Sequence, residues 1–569
     1  MKKFIFILIV SFLFLYNPLF SIIEKNDYND PGLNEKNGTY GFDNYLRRSY
    51  TMFFSGVSTL QKFDEDTGQY INYYEIGGKI HLYSELPEMR GFFFNGDFSI
   101  SKNSHSTFSS GDKSWWNSFI PYFGETYFGY KNTFFKITLG FQRLISSDAI
   151  YNHLLIDDYS GSIFGLRIDS MLGRFIDFQL TYNMIRPHQG PWYEGNDPIE
   201  WNDSVVEDKD LYAAYYGKSL YTHKLNIRPL PWIRLGIYEG VYFLGENLNP
   251  WYANPFFIYI GSQLLDSIIA DKEGSRFNIH AANLLAGLDF NIGFKGWRIY
   301  GELLHDDSNL GAYLRFSREY QPNKIGIIFG GELRGYFITN YFKLNPIADY
   351  ILSNLYVNFE YGVVSKYTYA RDSNFNYEYV RDEYPKRYDI QPPSEKRREE
   401  VNRIGNFLGF MYGPNSDCID FAIGWRNDLK NVEEYTAGYQ ADVYFDSFKE
   451  KIIPKRLFKI QLHFRNYRLG DERDVTMPYY YNEHPSIDLE TGKEKDKFGT
   501  SRGTEFLKQV LEIGDILDLN VYGDVIRLSR FVLGLETKFL FQWKTSYPFT
   551  PDQHTDFSFR WEFGTILSW

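Results

Sequence analysis

Apolar and polar residues alternate one by one along this chain, in segment after segment. Tyr74, Ile76, Ile80 and Leu82 oppose Glu75, Lys79 and His81, and Phe92, Phe94, Phe98 and Ile100 oppose Asn95, Asp97 and Ser99. Phe135, Ile137, Leu139 and Phe141 oppose Lys136, Thr138 and Gln142, and Ile176, Phe178, Leu180 and Tyr182 oppose Asp177, Gln179 and Asn183. Far downstream, Phe458, Ile460, Leu462 and Phe464 oppose Lys459, Gln461, His463 and Arg465. Phe531, Leu533, Leu535 and Phe539 likewise oppose Gly534, Glu536 and Lys538. A period of two puts successive side chains on opposite faces of a strand, so each segment predicts a β-strand with one apolar face.

The last stretch shows the pattern most strongly. Phe557, Phe559, Trp561, Phe563, Leu567 and Trp569 share one face, interrupted by Thr565; Ser558, Arg560, Glu562, Gly564 and Ser568 share the other, where Ile566 is the exception. An aromatic face opposite a polar one suits a strand between lipid and an aqueous lumen. Its terminal Trp569 resembles the C-terminal signal that outer-membrane barrels present to their assembly machinery. This strand is expected to close a cylinder by pairing with a first strand near Tyr50.

The connections sort by length. Lys131-Asn132-Thr133, Met171-Leu172-Gly173, Pro229-Leu230-Pro231 and Tyr522-Gly523-Asp524 read as short turns. They alternate with long links at 101–120, 144–160, 186–220, 366–402 and 469–504. Short turns at one end and long loops at the other are the habit of transmembrane barrels, with periplasmic turns and extracellular loops. The expected fold is therefore all-β: a transmembrane antiparallel β-barrel of about 18 strands, within a range of 16–20.

The N-terminus adds an address. Lys2 and Lys3 precede an apolar run from Phe4 to Tyr16, Asn17-Pro18 breaks it, and Ser21 offers a small residue for cleavage. Residues 1–21 read as a signal peptide, 22–49 as a periplasmic arm and 50–569 as the barrel with its extracellular loops. The expected location is the bacterial outer membrane.

Composition narrows the function classes. The chain is 43% hydrophobic and 19% aromatic, with 48 Tyr and 51 Phe, which favours strands and interfacial girdles. A mean hydropathy of -0.40 argues against a bundle of membrane helices. Cys418 is the only cysteine, so no disulfide forms within the chain. A net charge of -12 without a basic stretch argues against nucleic acid as a partner. Phosphate-cradling loops, His-Glu-x-x-His, Gly-x-Ser-x-Gly and cysteine metal pairs are all missing from the sequence. His305-Asp306-Asp307 tempts a metal reading, but three adjacent strand residues do not converge on one ion. The expectation is a non-enzymatic protein without cofactor or metal.

The middle of the chain carries more specific signals. It reads Thr222-His223-Lys224-Leu225, then Trp232-Ile233-Arg234-Leu235-Gly236-Ile237-Tyr238-Glu239, then Gly245-Glu246-Asn247-Leu248-Asn249-Pro250. Asn283-Leu284-Leu285-Ala286-Gly287-Leu288-Asp289 follows, and Tyr300-Gly301-Glu302-Leu303-Leu304-His305-Asp306-Asp307 closes it. This succession resembles the capsule-assembly outer-membrane barrels, the Wzi-like family. The resemblance implies a barrel that holds or organises polysaccharide at the cell surface.

The residues also speak for themselves. Glu239 falls on the apolar face of its strand with Ile233, Leu235 and Ile237. Either a bulge turns it inward, or the strand has left the hydrocarbon there. Asp289 and Glu302 fall on polar faces and are expected to point into the lumen. They form either a functional site or inward ion pairs, with Arg234 or Arg298 as partners. Trp192 and Trp201 stand among carboxylates in the 186–220 loop, a composition that suits an unliganded, aromatic-packed acidic surface, or stacking on sugar rings. The candidate lumen and saccharide residues are therefore His223, Arg234, Glu239, Asn247, Asn249, Asp289, Glu302, Asp306, Asp307, Trp192 and Trp201. Three functions are open: polysaccharide attachment or assembly, a porin-like channel for small polar solutes, and a surface adhesin. The expected partners are outer-membrane lipid, surface polysaccharide and the barrel assembly machinery.

Overall fold

A computed structural model shows the alternating segments as one cylinder. It describes the strands, most of their tight turns and parts of the longer connections between residues 49 and 568. Residues 1–48 and most of 187–217, 245–281, 308–323, 370–404, 428–457 and 471–511 lie outside the described residues, as does Trp569; the expected signal peptide and most of the expected arm fall among them.

The first strands are β1 (Ser49–Asp64), β2 (Gln69–Glu85), β3 (Phe92–Asn103), β4 (Phe119–Lys131), β5 (Phe135–Gln142), β6 (Ile163–Leu172) and β7 (Ile176–Arg186). Then come β8 (Lys218–Leu230), β9 (Ile233–Leu244), β10 (Ala282–Phe294), β11 (Trp297–Asp307), β12 (Lys324–Arg334) and β13 (Leu355–Val364). Two short strands, β14 (Val380–Glu383) and β15 (Gly405–Phe407), pair only with each other. The cylinder resumes with β16 (Ser416–Arg426), β17 (Phe458–Leu469), β18 (Glu512–Leu528), β19 (Phe531–Ser546) and β20 (His554–Ser568). These form an 18-stranded sheet in which each strand pairs antiparallel with its neighbours in sequence. The ring closes where β20 meets β1, from Met52↔Ser568 to Lys62↔Ser558. A closed ring leaves no strand edge unpaired.

Burial separates the two faces. Leu235, Ile237, Leu288, Phe329, Phe359 and Phe421 are exposed on the outside, which makes the exterior an apolar band. In the closing strand the aromatic face is part of it: Phe559 meets Phe541 at 5.0 Å and Phe557 meets Trp543 at 5.5 Å between ring centroids. The inner positions of the same strands carry Lys224, Arg234, Asp289, Glu302, Glu360 and Asp420, all buried.

Two expectations need correction. Tyr522-Gly523-Asp524 is no turn. It lies inside β18, whose ladder to β19 shifts register between Asp524 and Ile526. Gly next to Asp marks an irregularity here, and a bulge satisfies that signal as well as a turn does. Length sorting also has exceptions. Between β12 and β13, at the short-turn end, the chain forms two helices, α1 (Gly335–Thr339) and α2 (Pro346–Ser353). The β16–β17 connection, from Arg426 to Phe458, is long at the same end.

The inner wall repeats one device. Tyr238, Tyr300, Tyr356 and Tyr467 each face a glycine directly across the ladder: Gly287, Gly330, Gly424 and Gly514. A Cβ on any of these glycines would collide with the tyrosine ring lying over it. The ring thus covers a stretch of backbone that has no side chain of its own. Gly287→Val should displace Tyr238 and its hydrogen bond to the Leu303 carbonyl, 3.3 Å. The expected loss is about 1–3 kcal/mol, read as a lower unfolding temperature in the gel shift between folded and heated barrel.

Candidate functional site

The site grows from the β5–β6 connection, which turns into the barrel instead of standing on its rim. Leu144, Ile150, Leu154, Leu155 and Ile156 are buried against the inner wall, beside Tyr238, Tyr300, Leu304 and Ile328. Leu155 fits the space beside Gly240, and Leu154 that beside Gly326. Inner-wall glycines therefore make room for the inward segment.

Polar fasteners hold it. Glu360 on β13 accepts hydrogen bonds from the backbone N–H of Ile150 at 2.8 Å and of Tyr151 at 3.1 Å. The Asn152 amide donates to Glu360 at 2.8 Å and to Asp420 at 2.9 Å. The Leu154 N–H donates to Glu302 at 3.2 Å. Asp148 reaches Arg234 on β9 at 2.7 Å and accepts from Asn291 on β10 at 2.7 Å. Within the segment, Ser147 Oγ and His153 Nδ1 are 2.9 Å apart, and the His153 N–H donates to Asp157 at 2.7 Å. A buried loop has backbone groups that need partners, and wall carboxylates supply them here.

A second inward segment, from the β13–β16 connection, locks the first. Tyr369 takes φ 73, a left-handed conformation costly for a bulky residue. Its N–H donates to Asp306 at 2.7 Å. Its hydroxyl donates to the Leu154 carbonyl at 2.7 Å and accepts from the Phe410 N–H at 3.0 Å. The Asp157 N–H donates to the Leu408 carbonyl at 2.7 Å. Strain at Tyr369 is held in place by three bonds at once.

Charged pairs line the wall around these segments. Asp289 pairs with Arg234 at 2.8 Å and also with Lys224. Asp177 pairs with Arg228, and Glu332 bridges Arg298 at 3.1 Å and Arg334 at 2.6 Å. Asp420 accepts from His463 at 2.8 Å and Arg465 at 2.6 Å. Tyr151 stacks on His463 at 4.5 Å. Burial raises the Tyr151 phenol well above its ordinary value, and burial likewise raises Tyr412. Both hydroxyls stay protonated.

The expected site residues therefore divide. Arg234, Asp289, Glu302 and Asp306 do face the lumen, where Arg234, Glu302 and Asp306 fasten the inward segments and Asp289 pairs with the same Arg234. His223 and Glu239, grouped above with the lumen residues, instead sit on the outer face, where alternation places Glu239. The register of β9 against β10 runs unbroken from Ile233 to Phe243, so no bulge turns Glu239 inward. Its carboxylate lies 3.6 Å from His223 Nδ1 and accepts the Tyr259 N–H at 3.0 Å. The Tyr259 hydroxyl reaches His223 Nε2 at 2.9 Å, and its ring packs with Tyr221, Val241 and Leu284. A covering tyrosine, not a change of face, shelters this carboxylate. Asp307 pairs with Lys324 in the ladder. Trp192, Trp201, Asn247 and Asn249 lie outside the described residues. Glu360, Asp420, Asn152 and Tyr369 were not expected. The signal for the first two was their place on the polar side of Leu355–Val364 and Ser416–Arg426.

Among the described residues no group of His, Cys, Asp and Glu converges as a metal site. No family model matches the sequence, and no curated protein matches it. Among solved structures, the chain is similar to OccAB4 of Acinetobacter baumannii, with 8% identity, 93% of this chain and 100% of that one covered, and a TM-score of 0.41. It is similar to Wzi of Escherichia coli, an outer membrane protein involved in group 1 capsule assembly and a carbohydrate binding β-barrel. There the identity is 11%, with 91% and 85% covered and a TM-score of 0.41. It is also similar to the outer membrane protein OprD of Pseudomonas aeruginosa, with 8% identity, 93% and 95% covered and a TM-score of 0.39. The closed ring, its apolar exterior and its charged interior make this chain an outer-membrane β-barrel.

Proposed function

We propose that the barrel is a constricted, non-enzymatic channel for small polar solutes. One observation carries this: the inner wall is buried more deeply on one side than on the other. At mid-height on β11, β13 and β16, Glu302, Glu360 and Asp420 are buried under the inward segments. At mid-height on β18 and β19, the Lys538–Asp518 pair, 3.0 Å apart, keeps 31% and 16% of its side chains exposed. The inward segments fill one side and leave a charged, partly exposed strip along the other. A solute would pass along that strip, and its charge and width would select small polar molecules.

The second reading, a role in attaching or assembling surface polysaccharide, is supported by the central motif between Thr222 and Asp307. Planar-bilayer recording of the purified, folded protein separates the two. Stepwise currents that fall when small polar solutes enter are the expected result. Electrically silent membranes, together with loosened surface polysaccharide when the protein is deleted, would overturn the channel in favour of the polysaccharide role.

A further inference from the structure

The α1–α2 hairpin is apolar where a water-facing connection has no reason to be. Ile347 is 73% exposed, Tyr341 70% and Phe342 63%, and Ile338, Tyr350 and Ile351 are also exposed. Between Gly335 and Ser353 the only charged residues in the sequence are Lys343 and Asp349. The helix itself is well specified: Asn345 caps it by accepting the Ala348 N–H at 2.8 Å, and Pro346 opens it. A capped helix that is apolar on its exposed sides needs a cover.

Its position says what that cover is. The hairpin is anchored on the outside of the barrel wall. The Trp425 indole N–H, from the outer face of β16, donates to the Ile351 carbonyl at 3.1 Å. The Tyr350 ring lies 5.8 Å from Trp425, which lies 6.1 Å from Phe458 on β17. Phe458 continues upward into the exposed outer row of Ile460, Leu462 and Phe464. The hairpin is thus the lower end of the lipid-facing band. At the same end, Phe134, Phe175 and Trp232 stand exposed on the turns after β4, β6 and β8, forming an aromatic belt of the kind found at the membrane–water boundary.

We infer that the α1–α2 hairpin is a membrane-docking element, embedding Phe342, Ile347 and Ile351 in the periplasmic leaflet of the outer membrane. Tyr341 and Tyr350 sit at headgroup level, with an apolar body and a polar tip. The inference does not depend on whether the lumen conducts. It rests on the outer face of the wall and on which end carries the short turns.

The test uses the full chain with Cys418→Ala and a single new cysteine, Ile347→Cys, carrying an environment-sensitive fluorophore. A second protein carries the label at Phe359→Cys, on the lipid-facing wall of β13. Both are reconstituted in phosphatidylethanolamine–phosphatidylglycerol vesicles. The Ile347 label is expected to show blue-shifted emission and to be quenched by brominated lipid as strongly as the Phe359 label. Water-like emission without quenching would overturn the inference. So would a label shielded from lipid that crosslinks two copies, which would make the hairpin a dimer contact. A label shielded from lipid without crosslinking would overturn it too, assigning the cover to another segment of this chain.

Discussion

Deleting residues 148–155 and joining the ends with glycines should raise single-channel conductance several-fold while the barrel still assembles. The ladder does not need the segment. β5 and β6 pair directly from Phe135↔Ser170 to Gln142↔Ile163, above which the chain leaves the wall. What the segment supplies is occupancy: Leu154 and Leu155 in the glycine-made spaces of the wall, and backbone N–H groups on Glu360 and Glu302. Removing it whole exposes these carboxylates to water, where they are solvated, so no buried charge is stranded. A point change acts differently. Glu360→Ala leaves the Ile150 and Tyr151 N–H groups and the Tyr300 hydroxyl, 2.8 Å away, without their acceptor. Each such group costs about 1–3 kcal/mol when it stays buried. That variant should loosen the segment and give noisy, flickering currents between the two conductance levels. Conductance unchanged by the deletion would show that the segment does not form the constriction.

The cylinder was legible in the sequence because a barrel wall obeys a local rule. Every strand contacts lipid on one side and lumen on the other, so the period-two pattern from Phe557 to Leu567 reports the fold without knowledge of its neighbours. The pairing of that strand with β1 was legible too, since an antiparallel barrel closes only between its first and last strands. The inward segment was not legible. Ser147-Asp148-Ala149-Ile150-Tyr151-Asn152 has the mixed composition of an outer loop. Its burial is decided by acceptors more than 200 residues away, Glu360 and Asp420. Glu239 marks the opposite failure. Its place on the apolar face was read correctly from alternation, but its shelter comes from Tyr259, remote in sequence. Alternation reports which face a side chain takes and is silent about what covers that face.

Asp420→Ala should be the most damaging single substitution in the wall. Asp420 is fully buried and joins four groups: Arg465, His463, the Asn152 amide, and the Cys418 thiol at 3.2 Å. Arg465 is held inward by other means as well, with its guanidinium 5.8 Å from the Tyr412 ring and near the Met411 sulfur at 3.1 Å. The substitution therefore leaves a cation in a dry place without its counterion, which costs about 3–5 kcal/mol. A barrel in detergent micelles should then unfold at clearly lower urea concentration, and part of the protein should fail to reach the heat-modifiable form. If the stranded charge is the cause, Asp420→Ala combined with Arg465→Leu should recover much of the loss, because it removes the cation while the Asn152 amide keeps Glu360 as its acceptor. Lys538→Ala supplies the contrast. The Lys538–Asp518 pair is partly open, with 31% and 16% of the two side chains exposed, so the change should cost clearly less than Asp420→Ala. Equal costs for Asp420→Ala and Lys538→Ala would mean that the two walls are buried alike. The inward segments would then not seal one side of the lumen, and the asymmetry on which the channel reading stands would be gone.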